Sequence, residues 1–173
     1  MLTVGRARKE VAMNLSTPDP AERTYNRIFY RGRRPTRLGR WVNKLTGWYA
    51  ASGLPPNIMA VLEVRGRKSG QTRSNPIVVA TIDGKRYLVS MLGPESDWVK
   101  NVEAVQGDAV IHRGARHRVH LVLVPPHERA PVLREYVRIA SSGRLHFPVA
   151  VGAPLSEFEK IAADYPVFRI DAI

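Results

Sequence analysis

The central part of the chain alternates short apolar segments with turn residues, which is the pattern of strands joined by hairpins. One such turn is Asp83-Gly84, a dipeptide typical of two-residue hairpins, and a second hairpin is centred on Arg113-Gly114. The predicted strands cover residues 59–64, 75–80, 86–90, 109–111, 119–124 and 167–170.

Helical spacing of apolar residues appears between and around these strands. It predicts helices over residues 94–105, 127–140 and 154–164, with Pro125-Pro126 and Pro166 as boundaries. Hairpin-linked strands with helices at the ends favour an antiparallel, barrel-like α+β domain over alternating βαβ units.

The first third of the chain has a different pattern. Residues 1–18 show no period and are predicted to form a basic flexible leader, and residues 19–56 are predicted to form amphipathic basic helices. Asp19-Pro20-Ala21-Glu22 is a typical helix start, and Gly32 breaks the run that follows. Residues 57–173 are left for the barrel.

The charge of the chain indicates that its binding partner is anionic. The net charge is +12, and residues 1–40 hold ten Lys/Arg against three Asp/Glu. Nucleic acid, an anionic membrane and a polyanionic small molecule could each explain this excess. No cysteine, membrane-spanning apolar run or secretory signal is recognisable, so we expect a cytoplasmic protein without disulfides or a thiolate metal site.

A basic turn between the first two strands is the strongest candidate for chemistry. In Gly66-Arg67-Lys68-Ser69-Gly70-Gln71-Thr72-Arg73 the glycines permit close approach to backbone N–H groups, and the cations supply charge-assisted bonds to an anion. The spacing is neither that of a Walker loop nor that of a dinucleotide fingerprint. On the residues alone, an ordinary solvated hairpin loop explains the turn equally well.

The other candidates are weaker. His117 and His120 are three apart on a predicted strand and point to opposite faces, so we expect no metal site. His146 is expected in an exposed loop, and Tyr136 is expected in the core. No Gly-x-Ser-x-Gly segment indicates a hydrolase.

The basic turn, Asn75-Pro76, a hairpin ending near Gly93 and then Trp98-Val99-Lys100-Asn101 together resemble the deazaflavin-dependent nitroreductase family. That family belongs to the flavin/deazaflavin oxidoreductases, whose fold is a split β-barrel like that of FMN-binding proteins. The resemblance implies a split β-barrel, mainly antiparallel, with N-terminal and C-terminal helices, and makes residues 57–173 a cofactor-binding domain.

The resemblance also implies a cofactor, coenzyme F-420, whose anionic tail would lie on Arg67, Lys68 and Arg73. Ile77 and Val78 would line the ring pocket, Ser90 and Met91 would face the same cleft, and Trp98 and Asn101 would support it. From the residues themselves, Trp98 is expected to pack in the core and Asn101 to anchor a backbone loop. The implied cofactor-binding set is Arg67, Lys68, Ser69, Gly70, Arg73, Asn75, Pro76, Ile77, Val78, Ser90, Met91, Leu92, Gly93, Trp98 and Asn101.

Two departures leave alternatives open. Relatives that reduce nitro compounds tend to carry a tyrosine where this chain has Val78. A second cation that is often found beside the cofactor tail in the family corresponds to Leu92 here. The expected function is hydride transfer from reduced F-420 to a conjugated apolar acceptor such as a quinone, an enone or a nitro compound. The alternatives are a non-catalytic carrier of fatty acid, lipid or cofactor, and an FMN-dependent oxidoreductase; the proton donor stays unassigned.

The resemblance extends to partners. Two placements stay open for residues 19–52: packing over one end of the barrel, or contact with an anionic membrane surface at the inner face of the cell membrane, with Trp41 and Trp48 at the interface. Nucleic acid is not expected, because no binding motif accompanies the charges. A homodimer is expected by analogy with other split barrels.

Overall fold

The computed structural model describes residues 58–173 and two short backbone segments. These segments, β1 (Tyr30–Arg31) and β2 (Arg34–Pro35), pair antiparallel, at the break that was predicted around Gly32. They belong to a compact unit, Met1–Gly39, that is separate from the unit Arg40–Ile173. The predicted leader and the two predicted N-terminal helices otherwise lie outside the described residues.

Six strands of the second unit form a closed barrel in which every described pair is antiparallel. The order around the barrel is β3-β4-β5-β8-β7-β6. The strands are β3 (Met59–Arg65), β4 (Thr72–Ile82), β5 (Lys85–Val89), β6 (Asp108–Arg113), β7 (Ala115–Leu123) and β8 (Val167–Ala172).

Three α-helices and two 3-10 turns complete the described part of this unit. The helices are α1 (Asp97–Ala104), α2 (Ala130–Ile139) and α3 (Leu155–Ile161), and the turns are Pro126–Glu128 and Gly143–His146. Helix α1 contributes Val99 and Val102 to the barrel interior. Helices α2 and α3 pack together on an outer cluster of apolar residues.

The two sides of β4, β5 and β8 face two different apolar clusters, because side chains alternate along a strand. On β4, Val79 belongs to the interior cluster, with Leu62, Leu88 and Phe168. Its neighbour Ala80 belongs to the outer cluster, with residues of α2 and α3. Burial on both sides explains why β4 and β5 have apolar residues in consecutive positions.

Strand β4 changes partner along its length. Residues 72–78 pair with β3, whereas residues 79–82 pair with β5. Pro76, which has no backbone N–H, lies in the half that pairs with β3 alone among the described strands. Proline is tolerated in such a half-paired segment because no second ladder of the described strands needs its N–H.

The predicted fold is confirmed: every strand and helix predicted beyond residue 57 is present in the predicted order, and the strands close into an antiparallel barrel. The main differences from the prediction are the lengths of two strands. Strand β4 begins at Thr72 instead of Asn75, and β7 begins at Ala115 instead of Val119. None of the helices among the described residues is long and apolar enough to cross a membrane.

Candidate functional site

The basic turn connects β3 to β4 and is closed by its own backbone. The N–H of Gly66 donates to the carbonyl of Gln71 at 2.9 Å, and the N–H of Gly70 donates to the carbonyl of Gly66 at 2.8 Å. Gly66 is buried beneath the turn, where a Cβ atom would lie 3.1 Å from the Gln71 oxygen and 3.3 Å from Cγ of Arg73. A side chain at position 66 would therefore push these neighbours out of place by a few tenths of an ångström.

The surface of this turn is well suited to an anion. The backbone N–H groups of Lys68 and Ser69 donate to no acceptor within residues 58–173. The residues Arg65, Lys68 and Arg73 are exposed, and Nη2 of Arg73 donates to Oγ of Ser69 at 3.2 Å. Free N–H groups beside three cations have the chemistry needed to hold phosphate or carboxylate oxygens.

Arg67 differs from the other cations, because its guanidinium contacts α1. Nη2 forms an ion pair of 2.9 Å with Oδ1 of Asp97, and Nη1 donates to Oδ1 of Asn101 at 2.8 Å. The side chain is 25% exposed. The resemblance assigned Arg67 to the cofactor tail, whereas in the structure its guanidinium bonds to protein atoms.

Asn101 and Trp98 behave as their side chains predict. Asn101 is buried, and its Oδ1 also accepts the backbone N–H of Arg67 at 3.2 Å, so it anchors a backbone loop. Trp98 packs against the interior cluster, with its ring centroid 5.5 Å from that of Phe168. Asn101 thus holds the turn on α1, and Trp98 packs α1 against the barrel core.

The predicted ring-pocket residues of β4 lie on two faces. Ile77 packs with the interior cluster, opposite Ala60, and Asn75 is opposite Leu62. Val78 packs with the outer cluster instead. A ligand on one face of β4 would therefore meet Ile77 or Val78 but not both, because the two side chains alternate.

The predicted pocket residues that follow β5 also lie in different surroundings. Ser90 is fully buried; its Oγ donates to the Gly93 carbonyl at 2.8 Å and lies 2.9 Å from Oγ of Ser96. It holds the turn before α1 and does not face a cleft, contrary to the expectation. Met91 and Leu92 are half-buried, and Met91 packs on the outer cluster.

Two further polar residues, Ser96 and Asp97, shape the site region, and no sequence pattern singled them out. Asp97 opens α1 and contacts Arg67, which lies 30 residues earlier in the sequence. Ser96 precedes α1 and contacts the buried Ser90. No local pattern marks them except their place at a helix start. His146 was expected to be exposed but is half-buried, and burial lowers the pKa of its imidazole below the usual range.

Tyr136 is a core residue, as its helical spacing predicts. It is 3% exposed in the outer cluster, and its hydroxyl lies 3.8 Å from the sulfur of Met91. The described residues include no group of three His, Asp or Glu side chains that could hold a metal ion. The basic turn is thus the candidate site that the described part of the chain presents.

The implied cofactor carries a tail with phosphate and carboxylate groups. Such a tail needs N–H donors, fixed cations and backbone without bulky side chains. The turn offers the N–H groups of Lys68 and Ser69, the cations of Lys68 and Arg73, and a side-chain-free Gly66 beneath them. The residues present fit the group.

Comparison with known proteins agrees with this chemistry. A family model described as F-420H(2)-dependent quinone reductase matches residues 37–146. This range includes the turn and five of the six barrel strands, that is, all but β8. The chain is a β-barrel oxidoreductase whose cofactor is coenzyme F-420. It belongs to the F-420H(2)-dependent quinone reductase family. No curated protein matches it significantly.

Several solved structures are similar to the chain at low identity. One is the F-420-H2 dependent reductase FDR-A, with 20% identity, a TM-score of 0.44, and 66% of this chain and 94% of that chain covered. Another is Rv2991 from Mycobacterium tuberculosis, with 14% identity, a TM-score of 0.46, and coverage of 72% and 79%. The family assignment rests on the sequence match and not on these structures.

Proposed function

We propose that this protein transfers a hydride from reduced F-420 to a conjugated apolar acceptor, such as a quinone, an enone or a nitro compound. The proposal is carried by the turn between β3 and β4, whose exposed N–H groups and cations form an anion site next to the barrel. When bound there, F-420H2 supplies the hydride.

The chain's own contribution is binding and orientation. Lys68 and Arg73 neutralise the tail, and the N–H groups of Lys68 and Ser69 fix the position of its oxygens. Val78 and Met91, half-buried on the outer cluster, give that face of β4 apolar character, which suits a flat conjugated acceptor. Orientation of two reactants in this way can account for much of a rate enhancement.

The binding experiment titrates the purified full chain with F-420 and, separately, with FMN, and follows the fluorescence of each ring. We expect F-420 to bind and FMN to bind more weakly, because FMN lacks the oligoglutamate part of the tail. Lys68→Ala with Arg73→Ala should weaken F-420 binding by at least about tenfold through the loss of two charge-assisted contacts.

The matched control is Lys85→Ala with Arg86→Ala. These two cations lie at the β4–β5 turn, beyond the opposite end of β4, so their loss changes the net charge equally without touching the site. Equal weakening by both double variants would reject the turn as the tail site. Co-purified lipid, with binding of neither cofactor, would instead support the carrier alternative.

Acceptor class is tested by turnover. Oxidation of F-420H2 by the protein is measured with a quinone, an enone and a nitroaromatic compound in parallel. The apolar surroundings favour the quinone and the enone, and Val78 in place of tyrosine leads us to expect the slowest rate with the nitro compound. Nitro reduction as the fastest reaction would contradict this order.

We further propose that residues 19–52 place the protein on the inner face of the cell membrane. The proposal is supported by the ten Lys/Arg against three Asp/Glu in residues 1–40. The test is sedimentation of the full chain with phosphatidylglycerol-containing vesicles, and the variant replaces Arg31, Arg33, Arg34 and Arg37 with Gln. Unchanged sedimentation would reject this contact.

The homodimer is likewise a proposal, by analogy with other split barrels. Sedimentation equilibrium of the full chain over a range of concentrations decides it. A monomer mass at every concentration, with and without F-420, would reject it.

A further inference from the structure

One oxygen atom of α1 receives two hydrogen bonds from the same residue of the basic turn. Oδ1 of Asn101 accepts the backbone N–H of Arg67 at 3.2 Å and Nη1 of its guanidinium at 2.8 Å. Asn101 is 6% exposed, so this acceptor is held away from bulk water. The contact therefore ties both the backbone and the side chain of Arg67 to the barrel.

Asp97 accepts two further hydrogen bonds from the same guanidinium. Nη1 of Arg67 also donates to the carbonyl oxygen of Asp97 at 3.2 Å, and Nη2 donates to its Oδ1 at 2.9 Å. Three of the five guanidinium hydrogens thus face atoms of α1. Only the hydrogen on Nε and one on Nη2 remain, so most donors of this guanidinium are engaged with α1.

We infer that Arg67 is a positioning residue, which fixes the turn on α1 and does not itself hold the cofactor tail. The contacts with the tail are made by Lys68, by Arg73 and by the N–H groups of Lys68 and Ser69. This inference deepens the proposed function and rests on it where the tail is concerned. The contact between Arg67 and α1 is independent of any cofactor.

The geometry gives Arg67 a reason to be in the turn other than charge. The neighbouring Lys68 has a free backbone N–H, and this N–H can meet an anion only if the turn keeps one conformation. Arg67 supplies that constraint, because its own N–H and side chain are bonded on the side that faces Asn101. A preorganised loop loses less entropy when the ligand binds.

The test is a double-mutant cycle with Arg67→Ala, Asn101→Ala and the double variant, measured first without cofactor. Amide hydrogen exchange of Gly66 and Gly70, whose N–H groups close the turn, reports how well the turn is held. Each single variant should accelerate exchange by about tenfold, as expected for loss of one or two partly buried hydrogen bonds. The double variant should exchange no faster than the faster single variant.

Binding of F-420 by the same four proteins tests the second half of the inference. Each single variant should weaken binding by a similar factor, and the double variant should bind as the weaker single variant does. If Arg67→Ala weakens binding a further fivefold or more in the Asn101→Ala background, Arg67 contacts the tail directly and the inference is wrong.

A conservative variant guards against a general folding defect. Asn101→Asp retains the accepting oxygen, so it should keep slow exchange and near-normal affinity where Asn101→Ala loses both. Equal exchange in Asn101→Ala and the unmodified protein would also overturn the inference. If instead Lys68→Ala with Arg73→Ala leaves F-420 affinity unchanged, the proposed tail site fails, and the exchange cycle still decides the role of Arg67.

Discussion

Arg129, which precedes α2, donates through Nη1 to the carbonyl oxygen of Ala162 at the end of α3, 3.1 Å away. Its Nε also donates to the carbonyl of Val124 at 2.7 Å. The residue is only 5% exposed, and burial lowers the pKa of its guanidinium. One cation thus joins the end of the last helix to the chain that leaves β7.

We predict that Arg129→Met destabilises the protein by about 2–3 kcal/mol, because buried carbonyl groups lose their donor. Urea unfolding followed by circular dichroism measures the difference. Arg134→Met is the control: Arg134 is exposed on the same helix, and its loss should change stability by no more than about 0.5 kcal/mol. Similar midpoints for the two variants would show that the buried contacts contribute little.

A second prediction concerns Gly107, which lies between α1 and β6 with φ of +90°. A Cβ atom there would lie 2.5 Å from the backbone oxygen of Leu121, closer than real contacts allow. Gly107→Ala should therefore cost at least about 2 kcal/mol, from backbone strain and displacement of β7.

The matched control for this position is Gly114→Ala in the β6–β7 turn. Its φ of +69° is also positive, but a Cβ atom would meet nothing within 4 Å. It should lose only the conformational term of about 1 kcal/mol. Thermal unfolding of both variants checks the difference, and equal losses would mean that the contact with Leu121 relaxes freely.

The third prediction concerns the basic turn between β3 and β4. Gly66→Ala should weaken F-420 binding by about tenfold, because the added methyl group must push Ser69 or Arg73 away from their places in the turn. The measurement is the fluorescence titration. Gly84→Ala changes the other hairpin of β4, where a Cβ atom has open space, and should leave affinity unchanged.

The fourth prediction is a pH dependence of stability through His146. Burial lowers the pKa of its imidazole below the ordinary value of 6.5, so the unfolded chain binds a proton more readily than the folded one. Stability contributed by the neutral ring is present above pH 6.5 and is lost as the pH falls from there towards the lowered value.

Unfolding free energies measured between pH 7.5 and pH 5 check this expectation. His146→Gln should flatten the fall in stability within that window. The carboxylates of Glu135 and Asp171 also have lowered pKa values, but their contributions are lost only at more acidic pH, below 4.5 and 3.8. An unchanged slope in His146→Gln would exclude this histidine as the cause.

Much of the barrel could be predicted from the sequence because its signals are local. The Asp83-Gly84 turn and the alternation of Val119, Leu121 and hydrophilic neighbours indicate hairpins without any knowledge of the rest of the chain. The first residues of β4 were missed, since Thr72, Arg73 and Ser74 are polar and pair through backbone groups alone.

The site could be predicted only in part. Glycines and cations within eight residues marked the turn, but the partners of Arg67 lie 30 and 34 residues away on α1. That distance hides the difference between a cation that binds a ligand and one that holds the loop. Ser90 was misplaced for a similar reason, because its bond to Ser96 depends on the turn that follows it.

The change of partner along β4 has a consequence for behaviour at high concentration. Residues 72–78 have a ladder on one side only among the described strands, and an open strand edge can recruit another chain into a continuous sheet. Pro76 cannot donate to such a ladder, and Arg73 at the same edge carries charge. Residues 72–78, beside the basic turn, are thereby protected against edge-to-edge aggregation.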